Sequence, residues 1–531
     1  MDEPPVRLAQ LLVGLSLVAD VGMGLEPGEA ARAAVLAARL TDDLGLAEPA
    51  DVYYTTLLQH IGCTAYAHEA AAMLGGDEIA VKASAVRTDF ARPRDVLVLY
   101  LPNLAPQAGL LTRLRAAGVA ATRSGRIVAG YSRANCEVAA LTGRRLGLGA
   151  GVEAGLLAVY EQVDGKGGPQ RLRGDDIPIA ARVAQVAVNA SLFDRLGGRE
   201  LAVEALRRRA GRTLDAELSA ALCDRADDYL SELAAADVTA AAIAAEPAPA
   251  VVVGGERFDA VCAAFGDVVD LKSPYLHDHA AGVSALASAA AEWLRMDVED
   301  VVRLRRAGLL HDVGRAAVPN GIWEKPGPLT SPEWERVRLH PYRSERILKG
   351  CPPLAAVAAL AGSHHERLDG SGYHRESTAA VLPMPARVLA AADAFQAMTQ
   401  PRPHRPARSA EEATAQLEQE VRAGRLDADA VTAVRAASGE PIRRRAGPSG
   451  LTDRQIEVLR LLADGNSNRE IGRRSRSRRA RPSTTSRTST PGSASPAGPR
   501  RPSTPCSTTS SRSGSLIPSC RGVLGGENRA A

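Results

Sequence analysis

The stretch Leu309-Leu310-His311-Asp312-Val313-Gly314-Arg315 sets an imidazole and a carboxylate side by side at the end of an apolar helical run, with a glycine to turn the chain away. Nitrogen and oxygen donors together suit divalent metals such as Zn, Mn or Fe. Alone, a His-Asp dipeptide is more often a hydrogen-bonded surface pair. Its company changes that, because eight of the ten histidines fall between His277 and His404. Within that span His279, His340, the pair His364-His365 and Asp393 join His311 and Asp312 as candidate metal ligands.

The elements that must position these groups are helices. Lys272-Ser273-Pro274 precedes a helix carrying His279, and His311-Asp312 closes the helix that starts at Val298. Leu329-Thr330-Ser331-Pro332-Glu333 offers an N-cap, a proline and an acidic first turn, which start the helix expected to carry His340. His364-His365 ends another helix just before the glycine-rich Asp369-Gly370-Ser371-Gly372, and Asp393 lies on a helix over 386–398. Ligands on five helices or helix ends suit a metal site in the core of a bundle.

The ordered set His279, His311-Asp312, His340, His364-His365-Glu366-Arg367-Leu368-Asp369-Gly370-Ser371-Gly372-Tyr373 and Asp393 resembles the HD-GYP branch of the HD superfamily of metal-dependent phosphohydrolases. The words Asp270-Leu271-Lys272-Ser273-Pro274, Trp323-Glu324-Lys325-Pro326 and Arg402-Pro403-His404 agree, so the resemblance covers about 250–440. It implies two divalent ions, Fe, Mn or similar, bridged by Asp312, with His279, His311 and Asp393 on one and His340, His364 and His365 on the other. It also implies a phosphodiesterase acting on a cyclic dinucleotide or related phosphodiester in signalling. Asp312 and Arg315 would be catalytic, and Arg315, Arg367, Asp369, Gly370 and Tyr373 would meet substrate. Arg315 stands where the family usually has lysine, and a guanidinium there can still grip phosphate. Gly372-Tyr373-His374 replaces Gly-Tyr-Pro, which leaves the substrate open between cyclic di-GMP and its relatives. Tyr275 stands where three-metal members have glutamate, which favours two metals.

Residues 1–240 read as a degenerate copy of the same unit. Gln59-His60-Ile61-Gly62 takes the place of His311-Asp312-Val313-Gly314. Two further segments, starting at Val163 and Ala181, match those at Leu368 and Ala386 with a single offset of 205 (368 − 163 and 386 − 181). Glu29 occupies the place of His279, Asn135 that of His340, and Val159-Tyr160 that of His364-His365, while Val188-Asn189 lies near that of Asp393. Without imidazoles this copy cannot hold a dinuclear centre by the same ligands. It is expected to pack, dimerise or sense rather than catalyse, with His60 and His68 as ordinary helix residues, a strand at 96–101, and a linker at 244–250 before the second domain, 251–440.

After a basic Pro/Gly linker, Leu451-Thr452-Asp453-Arg454-Gln455 through Ser467-Asn468-Arg469-Glu470-Ile471 is similar to the opening half of a LuxR-type helix-turn-helix over 449–474. The tail 475–531 is rich in Ser, Arg, Thr and Pro with one acidic residue, Glu527. It reads as a disordered basic segment, or as what a GC-rich gene yields in a wrong frame. A recognition helix is missing from it, so sequence-specific DNA binding is not expected. The alternative to an enzyme is a LuxR-type transcriptional regulator whose HD unit senses a nucleotide or metal without turnover.

The chain of 531 residues carries a net charge of only +4, too little to indicate nucleic acid by itself. Seven cysteines without CxxC spacing fit a reducing cytoplasm and exclude a zinc ribbon. The apolar run 8–18 is shorter than the roughly 20 residues that span a bilayer. The expected fold is mainly α: two tandem HD-type helical bundles, a partial helix-turn-helix and a basic tail, in a cytoplasmic chain with no membrane contact that works alone or as a homodimer.

Overall fold

The apolar run near the N-terminus becomes the helix Leu8–Gly22, and almost every residue of it is buried. A helix apolar on all sides belongs inside a core rather than on its rim. In the computed structural model it lies between the two halves of the chain. It packs on Glu29–Asp43 of the first half, and on the turn Val313–Ala317 and the helix His340–Lys349 of the second. The approach is close at Gly14, where a Cβ would lie 2.3 Å from the Cβ of Cys351. The structure describes residues 5–439 apart from 75–76, 90–91, 93–94 and 96–109, and no side chain at 74 or over 110–127. The expected strand at 96–101, the helix-turn-helix and the basic tail lie outside the described residues.

Those residues are mainly helical, with one two-stranded ribbon in which Val6–Arg7 pairs antiparallel with Val252–Val253. Beside it Arg7 Nε meets Glu246 Oε2 at 2.6 Å, and Glu246 also accepts from the hydroxyl of Tyr54 at 2.5 Å. The stretch 244–250, read as a linker, is therefore fastened to the first half, and the described residues form one compact unit. One apolar core runs through both halves, from Leu8, Leu12 and Leu57 to Phe265, Leu310, Leu348 and Val431. A second core, built on the helix Ile179–Arg209, belongs to the first half alone. Among the described residues no helix is long and apolar enough to cross a membrane.

In the second half the helix His279–Trp293 packs against Val298–Leu310, Met384–Thr399 and Ala428–Ala437. The contacts run through small residues such as Ala287, Ala290, Ala430 and Ala433, each with no exposed surface. In the first half Glu29–Asp43 packs in the same way against Pro49–Leu58 and Ile179–Arg209. Local details recur as well. Glu161 accepts from the N–H groups of Gln170 and Leu172, and Glu366 from those of Arg375 and Ser377. The ion pair Arg182–Asp215 has its counterpart in Arg387–Asp427, both at 2.9 Å. A Cβ on Gly62 or on Gly314 would lie 2.1 Å from a carbonyl oxygen, that of Asn135 or of His340.

One expected element is divided. Thr330 does cap a helix, with the reciprocal Glu333 bond of a capping box, but that helix is Ser331–Arg338, and His340 opens a separate one, His340–Lys349. Pro341 explains the break: it has no N–H to donate to the carbonyl four residues back, that of Val337. His60 and His68 also differ from plain helix residues. His60 follows the end of Pro49–Leu58, and His68 on Ala67–Leu74 reaches across to Glu324 at 2.7 Å.

Candidate metal centre

Three histidines of the cluster are aimed by one local device. Each sits at or just beyond the end of a helix, where carbonyls lack an intrahelical donor. His311 Nδ1 bonds the carbonyl of Gly308 at 2.8 Å, His340 Nδ1 that of Val337 at 2.6 Å, and His364 Nδ1 that of Ala361 at 2.6 Å. The Val337 carbonyl is the one to which Pro341 cannot donate the usual N–H from four residues on. A carbonyl only accepts, so each Nδ1 carries a proton, and in the neutral ring Nε2 then presents a lone pair. His279, which starts its helix, is held by Gln400 Oε1 at 3.0 Å from Nδ1. These hydrogen bonds are the kind that orient metal-ligating imidazoles.

The lone pairs converge. His340 Nε2 and His364 Nε2 stand 3.0 Å apart although neither has a proton to share. Asp312 lies between two sets of nitrogens. Its Oδ1 is 3.2 Å from His340 Nε2 and 3.5 Å from His364 Nε2, while its Oδ2 is 3.5 Å from His311 Nε2 and 3.7 Å from His279 Nε2. Asp393 Oδ1 closes the second set at 3.3 Å from His279 Nε2 and 3.6 Å from His311 Nε2, and its Oδ2 is 3.8 Å from His365 Nδ1. All seven candidate ligands are thus brought together. Six of them form two groups, His340, His364 and His365 on one side and His279, His311 and Asp312 on the other, with the donor atoms of each group within 4.8 Å of one another.

The electrostatics fit bound cations. Burial pulls the imidazoles of His279, His340 and His364 below the usual range and that of His365 well below it, which keeps them in the neutral, ligating form. His311 is the exception: against its burial, the carboxylates of Asp312 and Asp393 push it up to about 9. Burial would raise the Asp312 carboxyl, but Arg315 and His311 hold it well below the usual carboxylate range. Asp393 is held there in the same way by His279 and His311. With His311 in the neutral form that a metal ligand must take, two buried carboxylates and one guanidinium leave negative charge at the site, which a cation would neutralise. His311 Nε2, Asp312 Oδ1 and His365 Nδ1 are buried with no hydrogen-bond partner. The residues present fit metal.

Of the residues expected to meet substrate, Arg315 is at the centre, with Nη1 3.1 Å from Asp312 Oδ2 and its guanidinium 3.7 Å from the ring centroid of Trp323. Tyr373 stacks on His365 with ring centroids 4.3 Å apart, and burial pushes its hydroxyl up to about 12. Arg367 bonds the carbonyl of Glu366 at 2.9 Å. Asp369 is spent within its own loop, accepting from Ser371 N–H at 3.0 Å and Ser371 Oγ at 2.6 Å, and Gly370 supplies the positive φ of that turn. The structure therefore gives the Asp369–Gly372 segment a turn-forming role and leaves the Asp369 carboxylate outside the ligand cluster. Sequence reasoning missed Gln400, which no local pattern marks. It passed over Trp323 inside a word already noticed.

Replacing Arg315 with alanine is expected to lower turnover about 10²-fold, the scale of losing one fixed charge-stabilising donor. Metal content should stay at the parent level, because the seven ligands remain, and Arg315→Lys should recover part of the rate. Steady-state kinetics alongside metal analysis check this; an unchanged rate would remove Arg315 from the reaction.

Residues 264–430 match the family model of the HD domain. The 3'3'-cGAMP-specific phosphodiesterase 3 of Vibrio cholerae is 28% identical over 417 residues, covering 78% of this chain and 90% of its own length. The 3'3'-cGAMP-specific phosphodiesterase 1 of the same organism is 38% identical over 174 residues, which is 33% of this chain and 40% of that protein. A cyclic di-GMP phosphodiesterase of Pseudomonas aeruginosa is 39% identical over 140 residues, 26% of this chain and 34% of that one. A crystal structure of a cyclic GMP-AMP specific phosphodiesterase from V. cholerae shares the fold, with a TM-score of 0.56 at 24% identity over 82% of this chain and 99% of that one. Residues 264–430 are an HD domain, and the chain is a phosphohydrolase similar to these cyclic-dinucleotide phosphodiesterases.

Proposed function

We propose that this chain hydrolyses a phosphodiester bond of a cyclic dinucleotide, using two divalent ions held by residues 279–393. The observation that carries the reading is Asp312, whose two oxygens face two separate sets of imidazole nitrogens. His279, His311 and Asp393 would hold one ion and His340, His364 and His365 the other, with Asp312 shared. A pair of divalent ions supplies charge stabilisation to the attacking and leaving oxygens of a phosphodiester. The chain's own part is to orient the ligands through the Gly308, Val337 and Ala361 carbonyls and Gln400, and to offer Arg315 to a phosphate oxygen. The names of the relatives in V. cholerae and P. aeruginosa, all cyclic-dinucleotide phosphodiesterases, support that substrate class.

In this reading residues 1–240 are a degenerate, non-catalytic copy of the HD unit. Support comes from the recurrence of the Glu161 and Glu366 turns and the Arg182–Asp215 and Arg387–Asp427 pairs. Glu29, Gln59, Asn135 and Tyr160 stand where the second half has ligands.

The test is hydrolysis by the purified chain loaded with Mn or Fe, offered cyclic di-GMP, 3'3'-cGAMP, linear dinucleotides and a bis-aryl phosphate. About two metals per chain and turnover of a cyclic dinucleotide are expected. Metal without turnover of any of these would defeat the phosphodiesterase reading.

A further inference from the structure

The segment that follows Arg315 is held in place from the other half of the chain. The short helix Asn320–Trp323 begins at Asn320, whose N–H donates to both oxygens of Glu78, at 3.1 and 3.0 Å. Glu78 is fully buried and also accepts from Lys272 Nζ at 2.9 Å. Lys272 Nζ donates onward to the Val318 carbonyl at 2.8 Å, and the Asn320 amide donates to the Lys272 carbonyl. One turn later Glu324 accepts from Ser273 Oγ at 2.7 Å and lies 2.7 Å from His68 Nδ1. Beyond it Arg336 meets Asp77 at 3.3 Å. His68, Asp77 and Glu78 of the first half thus grip the second half on both sides of Trp323. That ring lies under the Arg315 guanidinium, and its centroid is 5.4 Å from that of His340.

Stability gives little reason for a buried Lys-Glu pair, since well-packed apolar side chains would serve as well or better. What such a pair does supply is position. A carboxylate that accepts from a backbone N–H and an ammonium at once fixes where 318–320 runs, and so where the Trp323 ring can stand. We propose that Glu78 is a positioning residue for the active site: through Asn320 and Trp323 it sets the place of the Arg315 guanidinium beside Asp312. The first half then acts on the centre in the second without contributing a ligand to it. The inference rests on residues 251–440 being the phosphodiesterase.

The experiment uses the full chain. In Glu78→Ala, kcat should fall about tenfold or more, as expected for a misplaced reacting group, while metals per chain stay unchanged. Trp323 reports its own position: with Trp293 and Trp334 replaced by phenylalanine it is the last of the three tryptophans. In that background Glu78→Ala should shift its emission to the red and raise its quenching by acrylamide. Glu78→Gln combined with Lys272→Met keeps an oxygen for the Asn320 N–H and strands no charge, so it should restore most of kcat. Unchanged kcat in Glu78→Ala, or a lower kcat with unshifted Trp323 emission, overturns the proposal. Should Glu78→Ala fail to fold, His68→Ala releases Glu324 at a side chain that is 41% exposed, and the same two readouts must move together. If the parent chain turns over no phosphodiester, the functional reading fails by itself. Trp323 emission then still decides whether Glu78 positions the ring.

Discussion

Asp312→Ala is expected to abolish turnover and metal binding together. Both oxygens of this carboxylate face imidazole nitrogens, at 3.2 and 3.5 Å for the nearest on each side, so its removal takes a ligand from both candidate metal positions. Metal-ion stabilisation of a transition state is worth several kcal/mol, and each ~1.4 kcal/mol is tenfold, so the loss should be about 10³-fold or more. Metal analysis and single-turnover hydrolysis of a cyclic dinucleotide check it. A variant that keeps its metal and hydrolyses at the parent rate would mean that Asp312 bridges nothing and that the centre works by another arrangement.

The second large effect concerns stability. Residues 251–440 expressed alone are expected not to fold cooperatively, although they contain every candidate ligand. Excision removes Leu8–Gly22 from against Val313–Ala317 and His340–Lys349, uncovering the core that Leu8, Leu11, Leu12, Leu15 and Val18 help to close. Fully burying a side chain of this size contributes about 1.5–3 kcal/mol, so five of them amount to roughly 10 kcal/mol, comparable to the whole stability of an ordinary domain. The same cut takes from Lys272 its ion-pair partner Glu78. Thermal and denaturant unfolding of the excised piece should show no sharp transition, and it should bind no metal. A cooperative transition with metal bound would mean that the second half is a self-sufficient domain.

The two effects divide between what is local in the chain and what is not. The seven candidate ligands, their order and the helix ends that carry them are legible in the sequence, because their causes lie within a few residues. The Thr330–Glu333 capping box starts one helix, and Gly314 admits the close approach of the His340 carbonyl. Even the break before His340, which the capping signal at Thr330 does not reveal, follows from Pro341 four residues after Val337. The matching words at one offset, on which the proposed duplication rests, are short and local in the same way.

Only the tertiary structure decides how Asp312 divides its oxygens, that Gln400 holds His279 from 121 residues away, and that the apolar run at the N-terminus completes the core of the other half. It alone brings Glu78 to Asn320 across 242 residues. Such contacts leave no periodic or spacing signal. A buried glutamate on Glu78–Ala85 and an alanine-rich helix look alike in sequence whichever neighbour they meet. Ligand chemistry is written in residue types and short spacings. The position of those ligands depends on which distant surfaces exclude water together.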